Sequence, residues 1–275
     1  VSPGADIVSL AALDLRVLLR SRWSWGALAL GPVATIAIVI AALGQDAGAG
    51  RQDDLRANAA SLLLLGGLLV ALTLGATPVR AGIASGRFGV LLAAGADRGV
   101  LAWSLVASRA AALMGVLALW LVALQVGSLA VGEGLDAPLA VHAAATYETL
   151  LLSMLAALMA ATAVGPVAAW VFGLAVDVLA QAAVNLKAAA DANALGTADG
   201  LAQAFYFLWP RAVTSPMIAD LQARDEAGPA APQIDINQNI VTVPASEWDT
   251  VLWTLVWCGV IAWVVSAGLR RRAVR

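Results

Sequence analysis

The sequence predicts an all-α polytopic membrane protein: six transmembrane helices, an N-terminal interfacial helix, and both termini cytoplasmic. Three observations lead there. Of the 275 residues, 61% are hydrophobic and only 12% are charged, against about 25% charged in a soluble domain. Six apolar runs each approach or exceed the ~20 residues that cross a roughly 30 Å hydrocarbon core. The arginines gather beside alternate gaps between those runs, so one face of the membrane is basic and the other acidic.

Residues 1–25 precede the first apolar run and contain "DIVSLAALDLRVLLRSRW". Leu10, Leu13, Val17 and Leu18 recur at helical spacing, Asp14 and Arg16 lie off that stripe, and a tryptophan closes the segment. This pattern predicts an amphipathic helix in the cytoplasmic interface; a plain extension of the first span is the alternative. The first run, Gly26–Gly44, exceeds the 7–15 apolar residues of a signal peptide and reads as an uncleaved span.

The remaining spans are Asn58–Val79, Val100–Val126, Ala144–Val164, Val167–Leu186 and Val251–Leu269. Read as a single helix, 144–186 would be about 64 Å long, twice the hydrocarbon core. Gly165-Pro166 is a turn dipeptide that divides it in two.

With the N-terminus inside, the cytoplasmic segments carry Arg16, Arg20 and Arg22, then Arg80, Arg87 and Arg98, then Arg270, Arg271, Arg272 and Arg275. The opposite side carries Asp46, Asp53, Asp54, Glu133, Asp136 and further acids between Asp191 and Asp249. This is the positive-inside bias. Its consequence is that residues 188–249 form an extracytoplasmic loop region. There Phe205, Tyr206, Phe207 and Trp209 precede Pro210, a composition that suits a short helix at the outer interface, where aromatic rings are favoured. Further on, "QIDINQNIVTV" alternates in part, as a small hairpin would.

Much chemistry is missing. The chain has no G-x-x-x-x-G-K-[ST] phosphate loop, no H-E-x-x-H and no G-x-S-x-G. A single cysteine, Cys258, excludes an intrachain disulfide and a cysteine-based zinc site, and His142 is the single histidine. Cys258 reads as a packed thiol, and Met154 and Met159 as ordinary packing. No catalytic set, metal set or cofactor is expected in this chain, and no nucleic-acid partner.

The stretch "RAGIASGRFGVLLAAGADRG", residues 80–99, is too short to span yet keeps Val90-Leu91-Leu92 among its arginines. A solvated loop has no reason to hold such a cluster. Ser85-Gly86-Arg87, then Leu91-Leu92, Gly95 and Asp97-Arg98, together with the six-span plan, resemble the permease subunits of ABC type-2 exporters. Within that family the plan is similar to permeases of nitrous oxide reductase maturation. The resemblance implies that Gly86, Arg87, Leu91, Leu92, Asp97 and Arg98 belong to a coupling helix seated on separate ATPase subunits, which hold ATP and Mg. It also implies a second permease chain, identical or different, and a prokaryotic cytoplasmic membrane. Ala84-Ser85 stand where the family carries acids, and the proline before the arginine is lost; both departures suit a chain paired with a different permease.

The expected function is therefore that of a permease driven by a partner ATPase. The alternative is a non-transporting scaffold that docks an extracytoplasmic protein through 188–249. Arg109 and Asp177 lie about ten and eleven residues into their spans, at a depth near 15 Å. A charge there costs at least about 2.5–3.5 kcal/mol, so the two are expected to pair, as a structural bond or as part of a pathway; Asp177 lining the path alone is the other possibility.

This topology has a direct test. Cysteines replacing Asp53, Glu133 and Asp225 should react with an impermeant maleimide from outside, and those replacing Arg20, Arg87 and Arg272 only after permeabilisation. Outside labelling at Arg272 would require an odd number of spans.

Overall fold

The computed structural model describes residues 3–44, 49–77, 79, 82, 85–93, 97–192, 194–218, 220–221 and 246–272. Among them the regular elements are all helical; the expected hairpin lies outside the described residues. In chain order they are α1 (Pro3–Leu19), α2 (Arg22–Leu43), α3 (Ala49–Ser61), which passes through a π-helical turn (Leu62–Gly66) into α4 (Gly67–Ala76), and the short α5 (Arg87–Ala93). Then come α6 (Arg98–Ala130), α7 (Ala137–Ala161), α8 (Pro166–Asp191), α9 (Asp199–Leu208) and α10 (Trp248–Arg272).

Six stretches are long and apolar enough to cross a membrane: Arg22–Leu43, Arg51–Ala76, Arg98–Ala130, Ala137–Ala161, Pro166–Asp191 and Trp248–Gly268. They match the six predicted runs. The largest differences are at the outer ends of α3 and α7, where helix continues beyond the apolar run. At α7 the cause is a start signal: Asp136 caps the helix by accepting from the Leu139 N–H at 3.1 Å, with Pro138 in the first turn. Gly165-Pro166 does separate two spans, Gly165 being extended and Pro166 opening α8.

α7 is the central helix, packed by α4, α8, α10 and α6. Without a hydrophobic force between helices in lipid, close approach depends on small residues. A Cβ built on Gly75 of α4 would lie 2.3 Å from the Met154 carbonyl oxygen and 2.8 Å from the Ala157 Cβ. One built on Gly173 of α8 would lie 2.8 Å from the same Ala157 Cβ and 2.9 Å from the Ser153 carbonyl oxygen. Ala157 thus sits between two glycines of different helices.

Trp120 of α6 fills the space beside α2 and α3. It is fully buried, donates from its indole N–H to the Ala27 carbonyl at 3.1 Å, and lies against Gly31 and Gly66. The outer turn between α6 and α7 is fastened to α3 by Arg56, whose Nε lies 2.6 Å from an Asp136 oxygen. Gln125 bonds both backbone groups of Asp136. The outward faces of α2, α8 and α10 are apolar, with Val33, Ile36, Ile40, Val171, Leu252 and Val256 exposed, as a lipid-facing surface requires.

α1 is the expected N-terminal helix, and Asp14, off its apolar stripe, turns into the bundle. It packs along α6 with Asp14 only 6% exposed, while Leu13 and Val17 of the expected apolar stripe are 45% and 51% exposed. The reason is a partner: Asp14 accepts from Ser108 Oγ at 2.6 Å and lies 3.1 Å from the Arg109 guanidinium. Leu15 and Leu18 supply the apolar part of that contact.

The helix contact at Ala157 makes a sharp prediction. Gly75→Ala should destabilise the protein by about 1–3 kcal/mol, the usual cost of overpacking. Gly115→Ala, where nothing lies within 4 Å of the added carbon, should cost nothing. Thermal unfolding in detergent by intrinsic tryptophan fluorescence compares the two.

Candidate functional site

Two polar stripes run through the apolar spans. On α7, His142, Thr146, Thr149 and Ser153 follow one another at intervals of four, three and four residues, so they share one face. On α8, Asp177, Gln181 and Asn185 do the same at intervals of four. The stripes meet at their inner ends. Ser153 Oγ donates to one oxygen of Asp177 at 3.0 Å, and Gln181 Nε2 donates to the other at 2.8 Å.

Between the outer halves of α7 and α8 lies an irregular segment. After α9 the chain turns inward, and residues 210–215 run without regular structure. Ala212 N–H donates to the Ala180 carbonyl at 3.2 Å and Val213 N–H to Thr149 Oγ1 at 3.0 Å. Ser215 Oγ is 2.9 Å from His142 Nδ1, and the other ring nitrogen lies 3.3 Å from Thr146 Oγ1. Thr149 is about halfway along α7, so the segment is re-entrant. Such backbone is tolerated at membrane depth only where protein buries it or a polar cavity receives it. Both conditions hold.

The cavity has a volume of about 770 Å³. Asp53 and Ser61 contribute from α3, Leu64 from the π-helical turn, His142, Thr146 and Thr149 from α7, Gln181 and Asn185 from α8, Thr214 and Ser215 from the re-entrant segment, and Ile218 from just beyond it. Hydroxyls, amides, an imidazole and carboxylates therefore converge in one space that belongs to the face the arginine bias assigns to the outside. The arrangement can bind a polar group through several hydrogen bonds. Among the described residues no three His, Cys, Asp or Glu side chains gather as a metal set.

The aromatic group of the outer region holds the re-entrant segment in place. Arg211 is buried, stacks over the Tyr206 ring at 3.8 Å, donates to the Tyr206 carbonyl at 2.9 Å and pairs with Asp249 at 3.2 Å. Trp253 donates to the Trp209 carbonyl and Thr254 to the Arg211 carbonyl. Phe205 stacks on Trp209 with centroids 5.8 Å apart, and Phe207 is exposed. These contacts dock α9 and the start of the segment onto the outer end of α10.

Arg109 and Asp177 are not brought together. Arg109 bonds Asp14 of α1 and Asp177 is held by Ser153 and Gln181, so within this chain the expected pair is replaced by two separate arrangements. The sequence estimate fixed depth along each span but carried no information on which way each residue faces around the bundle. Glu148, half-buried in the middle of α7, was missed altogether; its Oε1 is buried without a hydrogen-bond partner.

In the expected coupling segment, Gly86 adopts φ +67°, a conformation that favours glycine, and opens directly into α5. Val90 is 71% exposed and Leu91 partly so. The side chains of Arg87 and Leu92 lie outside the described residues. Asp97 caps α6 by accepting from the Gly99 N–H at 3.1 Å, and Arg98 is its first residue. No protein-family model matches the chain, and no curated protein matches it. The chain is thus a multi-pass membrane protein by its own six-helix architecture.

A mutant cycle separates the two charge arrangements. Asp14→Leu should destabilise the fold by about 3 kcal/mol, since it leaves Arg109 buried without its carboxylate, and adding Arg109→Leu should restore much of that loss. Arg109→Leu and Asp177→Leu should combine additively, within about 0.5 kcal/mol. Equilibrium unfolding in mixed micelles measures all five variants.

Proposed function

We propose that this chain is the membrane-spanning permease subunit of an ATP-driven type-2 ABC transporter in a prokaryotic cytoplasmic membrane. It moves its substrate with energy from separate ATPase subunits, which bind ATP and Mg, and it works beside a second permease chain. The observation that carries the reading is the cavity: a polar space open in the outer half of an otherwise apolar bundle, closed below where Gly75, Ala157 and Gly173 meet. A route for a polar group open on one side and shut on the other is what alternating access requires of one of its states.

Two features support the rest. The resemblance over residues 85–98 assigns the energy-receiving contact to α5, and the exposed Val90 gives that helix an apolar surface for a partner. Asp97 ties the end of the same segment to α6, the helix that Asp14 and Arg109 join to α1. A push on α5 would then reach one transmembrane helix and the N-terminal helix α1 at once.

The test uses cysteines in place of Ala57 and Asn185, both exposed on the cavity wall, in a Cys258→Ser background. In native membranes, their reaction with an impermeant maleimide should slow several-fold when ATP and vanadate are added inside. Leu91→Asp should remove that response without affecting insertion, because an unpaired charge at an apolar contact costs several kcal/mol. Labelling that ignores nucleotide, in membranes where an external protein stays bound to the chain, would favour the scaffold instead.

A further inference from the structure

Glu148 stands apart from both charge arrangements and from the cavity lining. It lies midway along α7 (Ala137–Ala161). It precedes Thr149, and so it stands about 100° round the helix from that member of the polar stripe. Its Oε1 is buried with no hydrogen-bond partner, and among the described residues the carboxyl joins no ion pair. Cys258 of α10 is within electrostatic reach, but a buried thiol brings no positive charge.

The side chain is not sealed inside the bundle. Val141, Ala144 and Glu148 follow one another at intervals of three and four residues, so they share one face of α7. Val141 is 54% exposed, Ala144 is exposed and Glu148 is half-buried. The side chains that lead to the carboxyl are short, and short side chains let another helix approach closely in lipid.

An acid at this depth pairs, or it faces a wet cavity. Glu148 is not among the residues that line the cavity. A proton would remove the charge but leave the buried oxygen unbonded, and a lipid offers only acyl chain at mid-depth. A basic side chain meets both needs, because it brings a charge and a donor together. A second copy of this chain has none to offer. The basic residues of the six spans lie near helix ends, Arg109 excepted, and Arg109 is buried and paired with Asp14.

We propose that Glu148 docks a transmembrane helix of a different chain, one that carries a basic side chain at the middle of its span. The proposal gives the second permease of the transport reading a chemistry and makes the pair of permeases heteromeric. It rests on that reading for the neighbour's being a permease; the contact itself needs no nucleotide.

The test places the full chain in phosphatidylcholine vesicles with a donor dye at Glu133→Cys. The background is Cys258→Ala, which puts no hydroxyl beside Glu148. The probe is a transmembrane peptide of leucine and alanine with one arginine at its centre and an acceptor dye at one end; its control has leucine at the centre. Energy transfer at rising peptide-to-lipid ratio should show several-fold tighter association for the arginine peptide, and Glu148→Gln should abolish the difference. Glu148→Leu repeats the measurement if the glutamine variant folds poorly. Equal association of the two peptides, or an arginine preference that survives the Glu148 variants, would overturn the proposal. So would energy transfer between donor- and acceptor-labelled copies of the chain that disappears with Glu148→Gln, since the acid would then meet a second copy. Failure of the nucleotide-dependent labelling above, with the peptide preference intact, would remove the transport reading and leave the docking site.

Discussion

The approach of α4 and α8 to Ala157 is the contact on which the other positions depend. Gly75 and Gly173 bring two backbones against one face of α7, at Ala157, and in lipid such packing, not a hydrophobic force, holds helices together. Because the approach lies in the inner half, the outer half is free to spread. The cavity lies on the outer side of this pin, where the re-entrant segment enters and α3, α7 and α8 supply the other lining residues. A larger residue at either glycine would move the pin and with it every wall of the cavity.

The polar groups follow the same division. At the pin the bundle is packed by alanines and leucines, among them Ala156, Leu158 and Leu72, all fully buried. At and above it, hydroxyls and amides are joined in a chain from Asp177 through Ser153 and Thr149 to Val213, and from Thr146 through His142 to Ser215. These bonds serve two ends. They satisfy groups that would be costly in a dry interior, and they hold an irregular backbone at a depth where it has no helix to satisfy it. On the outer side, Arg56, Lys187 and Arg211 each pair with a carboxylate, so these three cations are neutralised locally.

The spans and the Gly165-Pro166 turn were legible because length, hydropathy and turn chemistry act locally. The re-entrant segment was not. Residues 210–215 are polar and apolar without period, and what draws them inward is contact with Thr149, Ala180 and His142, residues distant in sequence. The α7 stripe was in plain view, since His142, Thr146, Thr149 and Ser153 keep helical spacing, but a search for motifs passes over it: none of the four is charged at neutral pH. The partner of Asp14 was not legible for a related reason. A carboxylate on an amphipathic helix is expected to face water, and only the position of Arg109 on another helix reverses that.

The π-helical turn at Leu62–Gly66 bears on how the second span is read out along its length. Five residues close a loop that four would close in an α-helix, so the side chains beyond the turn are rotated by about 100° relative to an unbroken helix. α3 and α4 are therefore indexed separately: Ala57 and Ser61 line the cavity, while Gly67, Leu74 and Gly75 meet the other helices. Losing one residue there would restore a regular helix and swing one half of the span against the other. The chain can thus vary its cavity-facing half and its packing half without disturbing both, which makes this turn the joint at which the span's two duties are kept apart.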